Sequence, residues 1–152
     1  MIRSYFIPAN HFFIEFKKAG IKYDQKLFYS CLFEFDKEMI GLIKTHQLFS
    51  SPDVNLLCIH EDDKVIAFER NKIIFVFNFH PSKSFPDYMF VAPKGEYRMI
   101  LNSDEKRFGG EARLKQSLAH FTIGDPNYDD RENRLSLYLP NRSAIVLNKA
   151  HN

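Results

Sequence analysis

The sequence predicts a mainly β protein, an antiparallel β-sandwich preceded by one amphipathic α-helix. Two observations lead to this fold class. In the first third of the chain, apolar residues recur at three- and four-residue steps, which is the period of a helix. From about Lys64 onward the period changes to two, and turn residues recur about every eight to twelve residues, as in an antiparallel sandwich.

The helix is predicted between Gln25 and His46. Phe33 and Ile40 widen its apolar face, so the helix has to be covered on more than one side. Pro52 ends the helical region because proline cannot continue a helix. The seven residues at helical spacing are Phe28, Cys31, Leu32, Phe35, Met39, Leu42 and Ile43.

Six strands are predicted after the helix. They read KVIAFER, KIIFVFNF, DYMFVA, EYRMILN, RLSLYLP and SAIVLNK. Asn71-Lys72 forms a two-residue hairpin turn although glycine is missing from its second position, and Pro140-Asn141 marks the last turn. The stretch 103–133 is expected to be irregular. The predicted organisation is a helical N-terminal segment, residues 1–62, and a β-sandwich domain, residues 63–152.

Composition excludes several classes of protein. A net charge of +2 is too small to indicate a nucleic-acid or anionic-membrane partner. No run approaches the ~18 apolar residues that a membrane span needs. Cys31 and Cys58 lie in apolar surroundings without a CxxC spacing, which is typical of reduced thiols. A cytoplasmic protein is therefore expected. The 16 phenylalanines favour a surface that another element covers.

No motif for catalysis, a metal or a cofactor is present. The six histidines lack zinc-ligand spacing, and there is no GxSxG elbow or glycine-rich phosphate loop. The segment Asp125 to Ser136 resembles a calcium loop only at its start, because Asp130 replaces the required glycine and Ser136 the bidentate glutamate. We predict no catalytic residue, no metal and no cofactor.

One polar group follows an apolar strand in the segment IIFVFNFHPSKS. Asn78, His80, Ser82 and Lys83 are the candidate site residues. Two interpretations stay open. In the first, these side chains satisfy free backbone groups where a strand ends. Alternatively, they form a rim that faces another domain or a sugar.

Four segments resemble the end of 1,4-α-glucan (glycogen) branching enzymes of the α-amylase superfamily. Asp63 to Tyr88 contains IAFER and FNFHPSKS, the most specific motif. Gly95 to Leu114 contains the SD and GG pieces followed by an arginine, and Leu135 to Leu147 contains a Pro-x-Arg turn. Leu27 to Ile43 is similar to the last helix of the family's catalytic barrel.

This resemblance implies a Greek-key β-sandwich of the α-amylase C-terminal type and a place in glycogen biosynthesis. In that family a (β/α)₈ barrel upstream carries the catalytic carboxylates. No position here matches those motifs, so the chain alone is predicted to be inactive. The resemblance implies a non-catalytic domain that stabilises the barrel and shapes its glucan-facing rim.

Partners and alternatives follow from the same features. The expected partner is the catalytic barrel portion, or a second copy that associates through the apolar helix. The alternative function is a free-standing α-glucan-binding module in which sugars stack on tyrosines, although the chain contains no tryptophan. Its candidate tyrosines are Tyr88, Tyr97, Tyr128 and Tyr138.

The sequence leaves open whether the chain is a fragment, a truncated product or a short paralogue. It also leaves open its oligomeric state, its affinity for glucan and the role of residues 1–26.

Overall fold

A computed structural model describes residues 29–50, 52–124 and 133–150. These residues contain helix α1, eight strands and a short 3-10 helix at Lys106–Phe108. Helix α1 spans Tyr29–Thr45. The strands are β1 Asn55–His60, β2 Val65–Arg70, β3 Ile73–Asn78, β4 Phe85–Val91, β5 Glu96–Asn102, β6 Ala119–Gly124, β7 Asn133–Leu139 and β8 Ser143–Lys149. The predicted mainly β fold with a preceding helix is confirmed.

The chain divides into two compact units, Met1–Ser30 and Cys31–Asn152. The second unit contains every strand and α1 from Cys31 onward. Its strands pair antiparallel in the order β1-β2-β3-β8-β5-β6-β7-β4. Within this order β8-β5-β6-β7 has the Greek-key arrangement, because three consecutive strands lie side by side and the fourth lies next to the first.

The main core lies between two layers of strands, β1-β2-β3-β8-β5 and β7-β4, and β6 connects them because its start pairs with β5 and its end with β7. Alternate residues of β2, β3, β7 and β8 point into the core, which is the period of two seen in the sequence. Both layers contribute fully buried side chains to the same cluster, so the sheet closes over itself as a sandwich. Examples are Ile74, Val76, Leu135, Leu137, Ile145 and Leu147.

Helix α1 packs on the outer side of the first layer. Leu42 and the following Leu48 contact Ile73, Leu101 and Val146 in a second apolar cluster. The helix is also held at its middle, since Glu38 accepts a hydrogen bond of 2.8 Å from Arg107 and Phe35 meets Phe108 edge to face. The predicted start of the helix, residues 25–28, lies outside the described residues.

The tip of the β2–β3 hairpin holds the end of α1. Asn71 and Lys72 both have positive φ, 48° and 65°, which is the conformation of a tight two-residue hairpin turn. Asparagine adopts this region more readily than most residues because its short side chain hydrogen-bonds locally. Here its amide Nδ2 donates to the carbonyl of His46 at 2.7 Å. The predicted turn is confirmed, and it also fixes the end of the helix to the sheet.

Two strands were not predicted. Strand β1 contains an apolar run with a bulge between Leu56 and Cys58, so its residues do not alternate cleanly. Strand β6 lies in the stretch expected to be irregular, and its pattern is inverted. Its polar Thr122 faces the buried Leu135, while Phe121 and Ile123 are exposed. No helix among the described residues is long and apolar enough to cross a membrane.

Candidate functional site

Asn78, the last residue of β3, is buried, and both polar atoms of its side-chain amide form hydrogen bonds. Its Nδ2 donates to the carbonyl of Lys83 at 3.0 Å and to that of Leu139 at 3.2 Å. Its Oδ1 accepts the backbone N–H of His80 at 2.9 Å. A buried amide that satisfies three backbone groups ties the end of β3 to the end of β7.

His80 closes the turn after β3. Its Nδ1 accepts the backbone N–H of Ser82 at 3.2 Å and of Lys83 at 2.8 Å. Because Nδ1 acts as an acceptor, the imidazole is assigned as the neutral Nε2–H tautomer. Asn78 and His80 therefore satisfy backbone groups at a strand end, as the first of the two interpretations requires.

Ser82 and Lys83 lie at the exposed side of the same turn. The Lys83 ammonium binds the carboxylate of Asp63 at 2.9 Å and lies 4.5 Å from the centre of the Phe85 ring. The hydrogen bond from Lys83 holds the pKa of Asp63 below its usual value. Of the four candidate residues, Asn78 is buried, His80 is partly buried, and Ser82 and Lys83 are exposed. Whether the last two face another domain or a glucan stays a prediction.

The turn is tied to the loop between β7 and β8. The backbone N–H of Asn141 donates to Ser84 Oγ at 3.0 Å, and Asn141 Nδ2 donates to the carbonyl of Pro81 at 3.0 Å. The guanidinium of Arg113 donates to Asn141 Oδ1 at 2.6 Å. Three loops that are far apart in the sequence therefore meet at one end of the sandwich.

Asp104 is the centre of this network. Its carboxylate is only 4% exposed and accepts Arg113 Nη2 at 2.7 Å and the backbone N–H of Arg113 at 2.7 Å. Burial alone would raise the pKa of Asp104, but the hydrogen bonds from Arg113 and from the N–H of Glu111 outweigh it and lower the pKa. The carboxylate is thus held ionised by its neighbours.

The glycine pair beside Asp104 has a geometric reason. Gly109 has φ of 81°, the left-handed region that glycine adopts without strain. Gly110 lies so close to the backbone of Asp104 that a Cβ atom would collide with it. The loop can wrap around Asp104 only because both positions lack a side chain.

We refer to Asn78, His80, Ser84, Asp104, Arg113 and Asn141 as the polar cluster. The last four were not selected as site residues from the sequence. The SD, GG-Arg and Pro-x-Arg segments of the sequence contain three of these residues. The contacts between the segments are long-range, so the sequence did not predict them. The cluster joins loops by internal hydrogen bonds. Among the described residues, no three His, Cys, Asp or Glu side chains are placed to hold a metal ion.

Among the described residues, the tyrosines proposed for sugar stacking are not grouped on one exposed face. Tyr97 is buried, donates its hydroxyl to the carbonyl of Pro93 at 2.6 Å, and burial raises its pKa to about 12. Tyr88 is half-buried and packs against the main core. Tyr138 is half-buried, and Tyr128 lies outside the described residues. This distribution gives the glucan-binding alternative little support.

An apolar surface lies along the outer side of β1, β2 and β3. Four phenylalanine rings form a stacked row, with centroids 5.1, 6.1 and 5.6 Å apart from one neighbour to the next. The row runs Phe75, Phe68, Phe77, Phe79, and the β1–β2–β3 register adds Leu56, Ile59 and Ile66 to the same side. We call these seven residues the aromatic face.

A second apolar surface lies on the outer side of the other layer. The register of β4, β7 and β6 places Val91, Arg134 and Ile123 side by side. Met89, Val91 and Ile123 are all exposed there. We call these three residues the far face. The described part of the molecule thus exposes apolar side chains on both outer sides of the sandwich.

Residues 57–150 match the family described as "Alpha amylase, C-terminal all-beta domain". The chain belongs to this family. The β-sandwich fold and the relation to the α-amylase superfamily that the sequence predicted are thereby confirmed.

The chain is similar to 1,4-alpha-glucan-branching enzymes. It is 43% identical over 125 residues to that of Eremothecium gossypii and 42% identical over 125 residues to that of Saccharomyces cerevisiae, covering 82% of this chain and 18% of each relative. For Emericella nidulans the identity is 36% over 139 residues, covering 91% of this chain and 20% of the relative. The chain thus spans about a fifth of the length of these relatives.

A solved structure has the same fold. The chain is similar, with a TM-score of 0.50 and 19% identity, to a cyclomaltodextrin glucanotransferase with a three-domain ABC distribution. The match covers 86% of this chain and 24% of that one.

The sequence similarity to the branching enzymes includes α1, because any continuous match of 125 residues in a chain of 152 has to contain it.

Proposed function

We propose that the chain acts as the non-catalytic C-terminal β-domain of a 1,4-α-glucan branching enzyme in glycogen biosynthesis. It stabilises the catalytic barrel and shapes the glucan-facing side of the enzyme. The observation that carries this proposal is the 43% identity over 82% of the chain to a fifth of a branching enzyme, within a family of C-terminal all-β domains.

The chemistry of the polar cluster supports a non-catalytic role. Retaining glycoside chemistry needs two carboxyl groups about 5–5.5 Å apart on either side of a sugar bond. The buried carboxylate here, Asp104, is occupied by a guanidinium and by backbone N–H groups. A carboxylate in this environment has a lowered pKa, so it is a poor proton donor at neutral pH.

The proposed partner is the catalytic barrel, to which residues 1–62 contribute the last helix. The exposure of the rim residues Ser82 and Lys83 supports a place for them at the boundary with the barrel. A cytoplasmic location is part of the proposal and is supported by the free thiols of Cys31 and Cys58.

A hybrid enzyme tests this function. The chain replaces the similar fifth of the S. cerevisiae branching enzyme, and branching of amylose is followed by the loss of iodine absorbance. We expect activity in the hybrid, little activity in the truncated enzyme that lacks this fifth, and none in the chain alone. A folded hybrid no more active than the truncated enzyme would contradict the proposal, and so would activity of the chain alone.

A further inference from the structure

We propose that the aromatic face, and not the far face, is the surface that docks on the catalytic part of the enzyme. This inference rests on the proposed function and specifies which of the two exposed apolar surfaces serves it. The partner is an apolar protein surface, namely the remaining four-fifths of a branching enzyme of the kind this chain resembles.

The first argument is continuity with a contact that the structure already contains. Phe75 packs against the cluster that holds α1 to the sheet, and its ring also stacks on Phe68. The aromatic face is therefore the continuation, along β2 and β3, of the surface that α1 covers. An element that approaches beside α1 meets this surface next.

The second argument concerns the direction from which the catalytic part arrives. In the branching enzymes the matched region includes α1, and the matched family is a C-terminal one. The remaining four-fifths of such an enzyme thus joins the β-domain through the segment that leads into α1. Since α1 lies on the outer side of β3, β5 and β8, the catalytic part is tethered on that side, away from the far face.

The third argument concerns the outer side of α1. Leu32, Met39 and Ile40 are exposed on the helix, while Phe35 and Leu42 face the sheet. These three side chains, like the exposed members of the aromatic face, are left largely uncovered by the described part of the chain, so the apolar stripe of the helix is wider than its contact with the sandwich.

The chemistry of the surface favours protein over sugar. All seven residues of the aromatic face are apolar, whereas sugar recognition needs hydrogen-bond groups beside a ring. The phenylalanine rings also stack on one another, so much of each inner ring face is already in contact. An apolar surface of a catalytic domain can pack on this face without hydrogen-bond groups and without free ring faces.

Matched double variants separate the two surfaces. Phe79→Glu with Ile59→Glu changes the aromatic face at side chains that are 63% and 61% exposed. Met89→Glu with Ile123→Glu changes the far face at side chains that are 53% and 64% exposed. Because all four side chains are mostly exposed, both variants of the free full chain should melt within a few degrees of the parent, as measured by circular dichroism.

In the hybrid enzyme with the S. cerevisiae catalytic part, we expect the aromatic-face variant to lower branching activity at least ten-fold. Its melting temperature should fall toward that of the truncated enzyme. The far-face variant should stay within two-fold of the parent hybrid. An equal effect of both variants, or a loss confined to the far-face variant, would overturn the inference.

Failure of the proposed function is recognised separately, because the parent hybrid would then be inactive. The docking surface is in that case measured by binding of the free chain to the truncated S. cerevisiae enzyme in size-exclusion chromatography with light scattering. Binding that only the aromatic-face variant loses supports the inference. No binding, binding by both variants, or self-association of the parent chain in its place overturns it.

Discussion

Strand β3 separates two regions of opposite character. Its inward side ends in Asn78 and leads into the polar cluster, where the Asp104 carboxylate binds the Arg113 guanidinium and the side chains of Asn78 and His80 bind backbone groups. Its outward side carries Phe75 and Phe77, which belong to the aromatic face. The polar residues, which usually indicate a functional site, form internal bonds. The apolar residues, which usually indicate a core, are left for a partner.

This difference predicts opposite responses to substitution. Polar-cluster variants should lower the stability of the free chain, because a buried polar group that loses its partner costs free energy. Aromatic-face variants should leave the free chain stable and weaken only the assembled enzyme.

The largest effect is expected for Asp104→Ala. The substitution removes the buried carboxylate that pairs with the guanidinium of Arg113 and accepts two backbone N–H groups, so the free energy of unfolding should fall by about 3 kcal/mol. Urea denaturation of the purified chain measures it. Glu111→Ala is the matched control, since Glu111 contacts the same Arg113 at 3.3 Å from an exposed position. A loss below about 0.5 kcal/mol for Asp104→Ala would show that the cluster is dispensable.

The same carboxylate gives stability a pH dependence. The folded-state pKa of Asp104 lies below its unfolded value, so its contribution is fully present above pH ~4 and is lost as pH falls through the folded pKa. The stability difference between the parent chain and Asp104→Asn should therefore shrink between neutral pH and pH ~3. A difference that stays constant over this range would assign it to packing and not to charge.

A smaller loss is expected for Asn78→Ala. Three backbone groups lose a buried partner, and the expected decrease is about 2 kcal/mol, again by urea denaturation. The control is Ser82→Ala at the exposed side of the same turn, which should change stability by less than about 0.5 kcal/mol. Equal values for the two variants would mean that the strand end is held by something other than the amide.

A loss of about 1 kcal/mol is expected for Tyr97→Phe, which removes one hydrogen bond to the carbonyl of Pro93 and keeps the buried ring. The hydroxyl of Tyr97 should also titrate late, near pH 12, in the ultraviolet absorbance of the folded chain. Titration of all tyrosines near pH 10 while the chain is still folded would contradict this burial.

The smallest effect on the free chain is expected for Phe79→Ser. Phe79 is 63% exposed and its ring stacks on Phe77 at the end of the phenylalanine row, so the free energy of unfolding should change by less than about 1 kcal/mol. A decrease as large as that of Asn78→Ala would place Phe79 in the folding core and remove the contrast between the two regions.

Local signals predicted a large part of this fold. The helix, the six alternating strands and the Asn71-Lys72 turn all depend on spacings within a few residues. The strand-end role of Asn78 and His80 was one of the two interpretations that the sequence left open, because asparagine side chains commonly bond backbone groups in turns.

The missed features depend on long-range contacts. Strand β6 pairs with β5 on one side and β7 on the other, although Phe121 and Ile123 are exposed. Alternation alone would have predicted that these two apolar side chains point into the core. The polar cluster joins Arg113 to Asp104 across 9 residues and to Asn141 across 28 residues of sequence, and no local pattern predicts that meeting. The number of phenylalanines predicted a surface that another element covers, but the position of the aromatic face was not predicted because its residues have the composition of a core.

The most direct test of the central claim is calorimetric titration of the full chain into the truncated S. cerevisiae enzyme at several temperatures. Burial of apolar surface gives association a negative heat-capacity change. We predict binding with a negative heat-capacity change for the parent chain and for the far-face variant, and no measurable binding for Phe79→Glu with Ile59→Glu. Equal binding by both variants, or binding without a heat-capacity change, would contradict docking through the aromatic face.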